Sequence, residues 1–177
     1  MHTYIALFRG INVGGRNVLP MKELVAIMEE LGAQAVKTLL QSGNAVFSLA
    51  AADPSHFSRQ LAKAIGVRRG FEPVILVLGR EMLEKALAEN PFPEAEAEPS
   101  TLHLGFLATR PVSPDLAKLS ALRRESERFH LGDGVFYLYA PEGVGRSKLA
   151  AGAEKFLGVP MTDRNWRTVR QLLDLAG

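Results

Sequence analysis

Ala35-Val36-Lys37-Thr38-Leu39-Leu40 and Ala45-Val46-Phe47-Ser48-Leu49, separated by Gln41-Ser42-Gly43-Asn44, form the stretch whose reading decides the fold. Both runs are short and carry β-branched or aromatic residues, and the central Ser42-Gly43 suits a tight turn because glycine adopts positive φ without steric penalty. A β-hairpin is expected. Upstream, Tyr4 to Arg9 is an apolar run closed by Gly10, and a loop holding Asn12, Gly14, Gly15 and Asn17 leads to Pro20, which opens a helix. Leu24, Ile27, Met28 and Leu31 recur at three- and four-residue spacing, and Gly32 stands where a C-terminal cap belongs. Downstream, Asp53 or Ser55 can cap a helix ending near Gly66, and Pro73 to Leu78 is a strand closed by Gly79. The hairpin therefore sits between two strand-helix units, giving β-α-β-β-α-β, the ferredoxin-like order.

The second half repeats the plan after a helix from Glu81 to Glu89. Thr101 to Ala108 is a strand, Ser113 caps a helix to about Glu125, and Arg128 to Leu131 pairs with Val135 to Tyr139 across Gly132-Asp133-Gly134. Ser147 caps a helix to Leu157, a brief strand spans Pro160 to Thr162, and Trp166 to Ala176 forms a closing helix with Val169, Leu172, Leu173 and Ala176 on one face. Between the halves, Asn90-Pro91-Phe92-Pro93-Glu94-Ala95-Glu96-Ala97-Glu98-Pro99 has three prolines and three like charges, which oppose regular structure. The expected architecture is α+β: two ferredoxin-like lobes with antiparallel sheets and an added C-terminal helix. Residues 1–90 would form the first lobe with its connecting helix, 91–100 an extended acidic connector, and 101–177 the second lobe.

With 177 residues and 47% apolar composition the chain can bury a core without disulfide or metal staples. Zero cysteines exclude a disulfide framework, a thiolate zinc site and a cysteine nucleophile, and fit a reducing, cytoplasmic setting. No targeting segment or membrane span is read. The net charge of +2, from 21 basic against 19 acidic residues, is too small to act as an electrostatic footprint for nucleic acid. The four histidines at 2, 56, 103 and 130 have no metal-binding spacing, and no motif marks an activated serine, so no metal and no cofactor are assigned.

Three segments carry a resemblance: Arg9-Gly10-Ile11-Asn12-Val13-Gly14-Gly15 with Pro20-Met21; Gln41-Ser42-Gly43-Asn44; and Gly145-Arg146-Ser147-Lys148-Leu149 with Thr162-Asp163-Arg164-Asn165-Trp166-Arg167-Thr168-Val169. Together they resemble the bacterial family of domain of unknown function 1697, nearly end to end. The resemblance implies two ferredoxin-like halves and supplies no reaction. Asp163 departs from it, since the family commonly has a neutral or basic residue there.

Glycine lets backbone N–H groups approach a ligand, a helix N-terminus favours negative charge, and arginine grips phosphate or carboxylate in a fork. On those grounds Arg9, Asn12, Gly14, Gly15 and Arg16, with Gln41 and Asn44, form one candidate anion site. Its spacing matches neither the dinucleotide fingerprint nor the P-loop. Arg146, Ser147 and Lys148, in a second glycine-rich loop, and Arg164 and Asn165, beside the only tryptophan, are the other candidates. Each also has a structural reading, as a tight turn, a helix cap or, for Trp166, a core anchor. Finally, if Leu102, Leu104, Phe106, Leu131, Phe136 and Leu138 face the helices, then His103, His130, Tyr137 and Tyr139 share an open sheet face of the kind that stacks RNA bases.

Three functional readings follow. The first is a protein, not assigned as enzyme or non-enzyme, that binds a small anionic, phosphorylated ligand in a cleft between the lobes. The second is a nucleic-acid-binding module using the aromatic face and the segment from Arg146 to Arg170, where six basic residues meet two acidic ones. The third is an interaction protein whose sheets pair with other chains, including copies of itself.

Overall fold

The computed structural model describes residues 1–39, 41, 43–50 and 53–177. The described residues fall into two compact units, 1–85 with 171–177 and 86–170.

The first unit runs β1 (His2–Arg9), α1 (Met21–Glu30), β2 (Gln34–Thr38), β3 (Asn44–Leu49), α2 (Pro54–Arg69) and β4 (Val74–Gly79). Its strands lie in the order β2-β3-β1-β4, all antiparallel. The register sets Tyr4 opposite Phe47 and Gly79, and Ala6 opposite Ala45 and Val77. Residues directly opposite share a face, so Tyr4, Ala6, Phe8, Ala45, Phe47, Leu49, Ile75 and Val77 form one apolar surface. It packs against Leu24, Ile27 and Met28 of α1 and Phe57, Leu61 and Ile65 of α2. Each such fully buried side chain contributes about 1.5–3 kcal/mol of transfer free energy. Within this unit Lys37 Nζ donates to the Leu175 carbonyl at 3.4 Å and Arg80 donates to that of Gly177, which ties down the last residues of the chain.

Of the two expected caps it is Asp53 that starts α2, accepting from His56 N at 2.8 Å; the end of the helix differs from expectation. The helix passes through Gly66 and stops at Gly70, whose φ of 78° is the left-handed turn that releases the chain. The expected turn at Ser42-Gly43 is described only at Gly43, because Ser42, like Leu40, lies outside the described residues.

The boundary between the units falls within α3 (Arg80–Ala88), and a short 3₁₀ helix spans Pro93–Ala97. The second unit then contains β5 (Leu102–Leu107), α4 (Leu116–Leu122), β6 (Arg128–Leu131), β7 (Val135–Tyr139), a 3₁₀ turn at Val144–Arg146, α5 (Lys148–Leu157), β8 (Met161–Asn165) and the start of α6 (Trp166–Ala176). Strand order is β6-β7-β5-β8, again antiparallel. Both sheets thus have the ferredoxin-like arrangement, and the chain is α+β with two such lobes and a C-terminal helix.

Here too the structure amends the sequence reading. The acidic stretch is not extended. Asn90 accepts from Phe92 N at 3.0 Å and donates to Glu96 Oε1 at 2.9 Å, Phe92 and Ala95 are buried, and a 3₁₀ helix results. Asp115 rather than Ser113 caps α4, accepting from Lys118 N at 3.0 Å, and β8 extends to Asn165.

Of the expected aromatic face, His130, Tyr137 and Tyr139 share one side of the sheet, but His103 does not, and Tyr137 is buried rather than open. His103 lies opposite Leu138, and Leu104 opposite Tyr137, so His103 shares the face of Phe136 and Leu138 that packs on α4 and α5. Leu102, Leu104 and Phe106 lie with Tyr137 and Tyr139 on the other. Alternation could not settle this because β5 is buried on both faces. Tyr137 is 2% exposed, and its hydroxyl donates to the Ala86 carbonyl at 2.8 Å. Burial, with the nearby Glu89 charge, pushes that hydroxyl up to a pKa of about 12. The Tyr139 ring lies 6.3 Å from that of Phe92, with the Arg128 guanidinium 5.0 Å from the Tyr139 centroid.

Candidate functional site

The loop joining β1 to α1 contains five residues of left-handed backbone. Gly10, Asn12, Gly14, Gly15 and Asn17 all have φ between 52° and 74°. Glycine and asparagine are the residues that tolerate this region. Among the described residues no atom beyond the chain neighbours lies within 4 Å of a β-carbon built at Gly14 or Gly15, so backbone conformation and not crowding selects glycine there.

Asparagine side chains hold the loop in shape. Asn12 Nδ2 donates to the carbonyls of Leu19 at 2.9 Å and Gln41 at 2.7 Å, while its Oδ1 accepts from Leu19 N at 2.8 Å. Asn17 Nδ2 donates to the Gly10 carbonyl at 2.9 Å, and Asn12 N to the Asn17 carbonyl at 3.1 Å. Buried Ile11 and Leu19 anchor the two ends. Asn12 and Gln41 are thus brought together, with Gln41 contributing its carbonyl. Asn44, fully buried, donates to the Leu39 carbonyl at 2.9 Å, and Phe8 N donates to Gly43 O at 2.9 Å. Gly43 is required twice over: its φ is 90°, and a β-carbon would lie 2.6 Å from Phe8 Cβ and Ile11 Cδ1.

The asparagine amides are therefore engaged by the loop's own backbone and by Gln41, and the charged groups face out. Arg16 sits exposed at the tip and Arg9 exposed at its base. Among the described residues no side chain caps α1, whose N-cap position is Pro20, and the acidic residue of its first turn, Glu23, is paired with Arg69.

In the second unit the other candidates sort differently. Ser147 is buried and its hydroxyl accepts from Ala150 N at 3.0 Å, capping α5. Arg146 and Lys148 are exposed on either side, and the Arg146 carbonyl accepts from Arg124 Nη2 at 2.9 Å. Asn165 caps α6 by accepting from Thr168 N at 2.9 Å. Arg164 folds back to donate to the Asp163 carbonyl at 2.7 Å; burial lowers its pKa and the Asp163 charge opposes that shift. Trp166, at 4% exposure, is a packed anchor rather than a stacking surface.

What the sequence reading missed is the bond from His103 to Asp163. His103 Nδ1 lies 2.8 Å from Asp163 Oδ2, and Nε2 lies 3.1 Å from the Ser100 carbonyl. Both partners are acceptors, so both ring nitrogens bond fully only when the ring is the imidazolium. Burial alone would lower the His103 pKa, but the Asp163 carboxylate and the Ser100 carbonyl outweigh it and the net shift is upward. Among the described residues no group of three or more metal-ligating side chains converges, and no helix is long and apolar enough to cross a membrane.

No curated protein matches the chain. Among solved structures it is similar to conserved bacterial protein SP0830 from Streptococcus pneumoniae, at 24% identity and a TM-score of 0.73 over 99% of both chains, a likeness that shows the fold alone. The model of the family described as "Protein of unknown function (DUF1697)" matches residues 1–137, and the chain belongs to that family.

Proposed function

We propose that the chain binds a small anionic, phosphorylated ligand at the loop between Arg9 and Pro20. The observation that carries this reading is the loop itself: a backbone pre-shaped by Asn12 and Asn17, with Arg16 exposed at its tip and an uncapped helix behind it. A loop ordered before the ligand arrives loses little entropy on binding, and charge-assisted bonds from arginine to phosphate are about twice as strong as neutral ones. Gly14 and Gly15 leave the approach clear of side chains. The lack of cysteine is in keeping with a cytoplasmic location.

Titration of the protein with inorganic phosphate, nucleoside monophosphates and single-stranded RNA, followed by backbone amide shifts, tests the reading. Residues 10–22 should move for the phosphorylated small molecules, and Arg16→Ala should weaken binding about tenfold or more while changing stability by no more than about 0.5 kcal/mol. Shifts confined to Arg146, Lys148 and Arg164 would move the site to the second unit. A response to RNA alone, falling steeply with salt, would favour the nucleic-acid reading instead.

A further inference from the structure

The helix-covered side of the second sheet contains a small apolar cavity that reaches the surface at one carboxylate. Phe136 and Leu138 of β7, Met161 of β8, Val144 and Ala150 line it, and Asp163 stands at its edge. Its volume is about 130 Å³. An apolar cavity near 150 Å³ stays dry and admits benzene.

Three features set this space apart from a simple packing defect. Gly105 lies opposite Asp163 in the β5–β8 register, and a β-carbon there would come within 2.1 Å of Met161 Sδ, so the missing side chain leaves Met161 room to lie across the central strand. Asp163 occupies a position on the helix-facing side of the sheet, where an apolar residue would have closed the gap. Its orientation is fixed by His103, which engages Oδ2 and leaves Oδ1 outside that bond. The side chain is 42% exposed, enough for a ligand to reach it.

We infer that this cavity is a binding site for a small apolar amine, whose hydrocarbon body, about the size of one six-membered ring, enters between Phe136 and Met161 and whose ammonium donates to Asp163 Oδ1. His103 is a positioning residue. The site belongs to the second unit and prefers the charge opposite to that favoured by the loop between Arg9 and Pro20.

Benzylamine, toluene and benzoate are the probes, because they share a ring and differ in the group presented to Asp163. Ligand-observed and methyl NMR should show benzylamine perturbing Met161, Leu138 and Val144, with an affinity at least tenfold above that of toluene and no benzoate binding. Asp163→Asn should weaken benzylamine about tenfold and leave toluene unchanged. Ala150→Leu, which fills the cavity, should abolish both, and Arg16→Ala should affect neither. Equal affinity for all three probes, or no binding by any, would overturn the proposal without reference to any variant, and so would benzylamine shifts that persist in a folded Ala150→Leu protein.

Discussion

The two sheets share one strand order, yet their helix-covered faces are finished differently. At the edge of the first sheet, β4 turns Ile75 and Val77 onto that face, and both pack into the core. At the corresponding edge of the second, β8 turns Met161, Asp163 and Asn165 inward, opposite Leu107, Gly105 and His103. One face is closed by aliphatic side chains, and the other is held by a histidine–carboxylate bond beside a cavity. Topology is therefore indifferent to what fills its edge. The same β-α-β-β-α-β plan tolerates a polar pair there, provided each buried polar atom finds a partner.

Substitutions can break or sharpen the contrast, beginning with Gly43 of the first unit. Gly43→Ala should be the most damaging, by about 2–5 kcal/mol, since it combines left-handed backbone strain with overlap against Phe8 Cβ, which cannot swing away. Denaturant unfolding measures it, and a loss below about 1 kcal/mol would show that the turn can rearrange. Asn12→Ala removes three side-chain hydrogen bonds and should cost about 2–3 kcal/mol, with the largest increase in amide exchange at residues 10–19.

Gly105→Ala meets only the flexible end of Met161, so a cost of no more than about 1–2 kcal/mol is expected in the same assay. A loss as large as that at Gly43 would mean that the second face is packed as rigidly as the first. The smallest effect concerns pH. His103 has a raised pKa in the folded protein, so its contribution is complete below the ordinary histidine value of 6.5 and is lost as pH rises through the higher folded value. Melting temperature should fall between pH 6 and pH 9 more for the native chain than for His103→Gln, and parallel slopes would remove the charged bond from the account.

Local sequence was sufficient for much of this molecule. The apolar spacing of Leu24, Ile27 and Met28, and the Gly43 turn, are consequences of short-range sterics and hydrophobic periodicity. Strand and helix order followed, as did Ser147 and Asn165 as helix caps, because a cap acts within three residues of itself. The glycine-rich loop was recognisable as a special backbone, but the inward use of Asn12 depends on the carbonyl of Gln41, 29 positions away. Register was decided only in three dimensions. β5 is buried on both sides, so no alternation in Leu102 to Leu107 could say whether His103 or Leu104 meets the helices. Pairing with β7 and β8 determined that, and with it brought His103 to Asp163 across 60 residues of chain, a contact that no local pattern encodes.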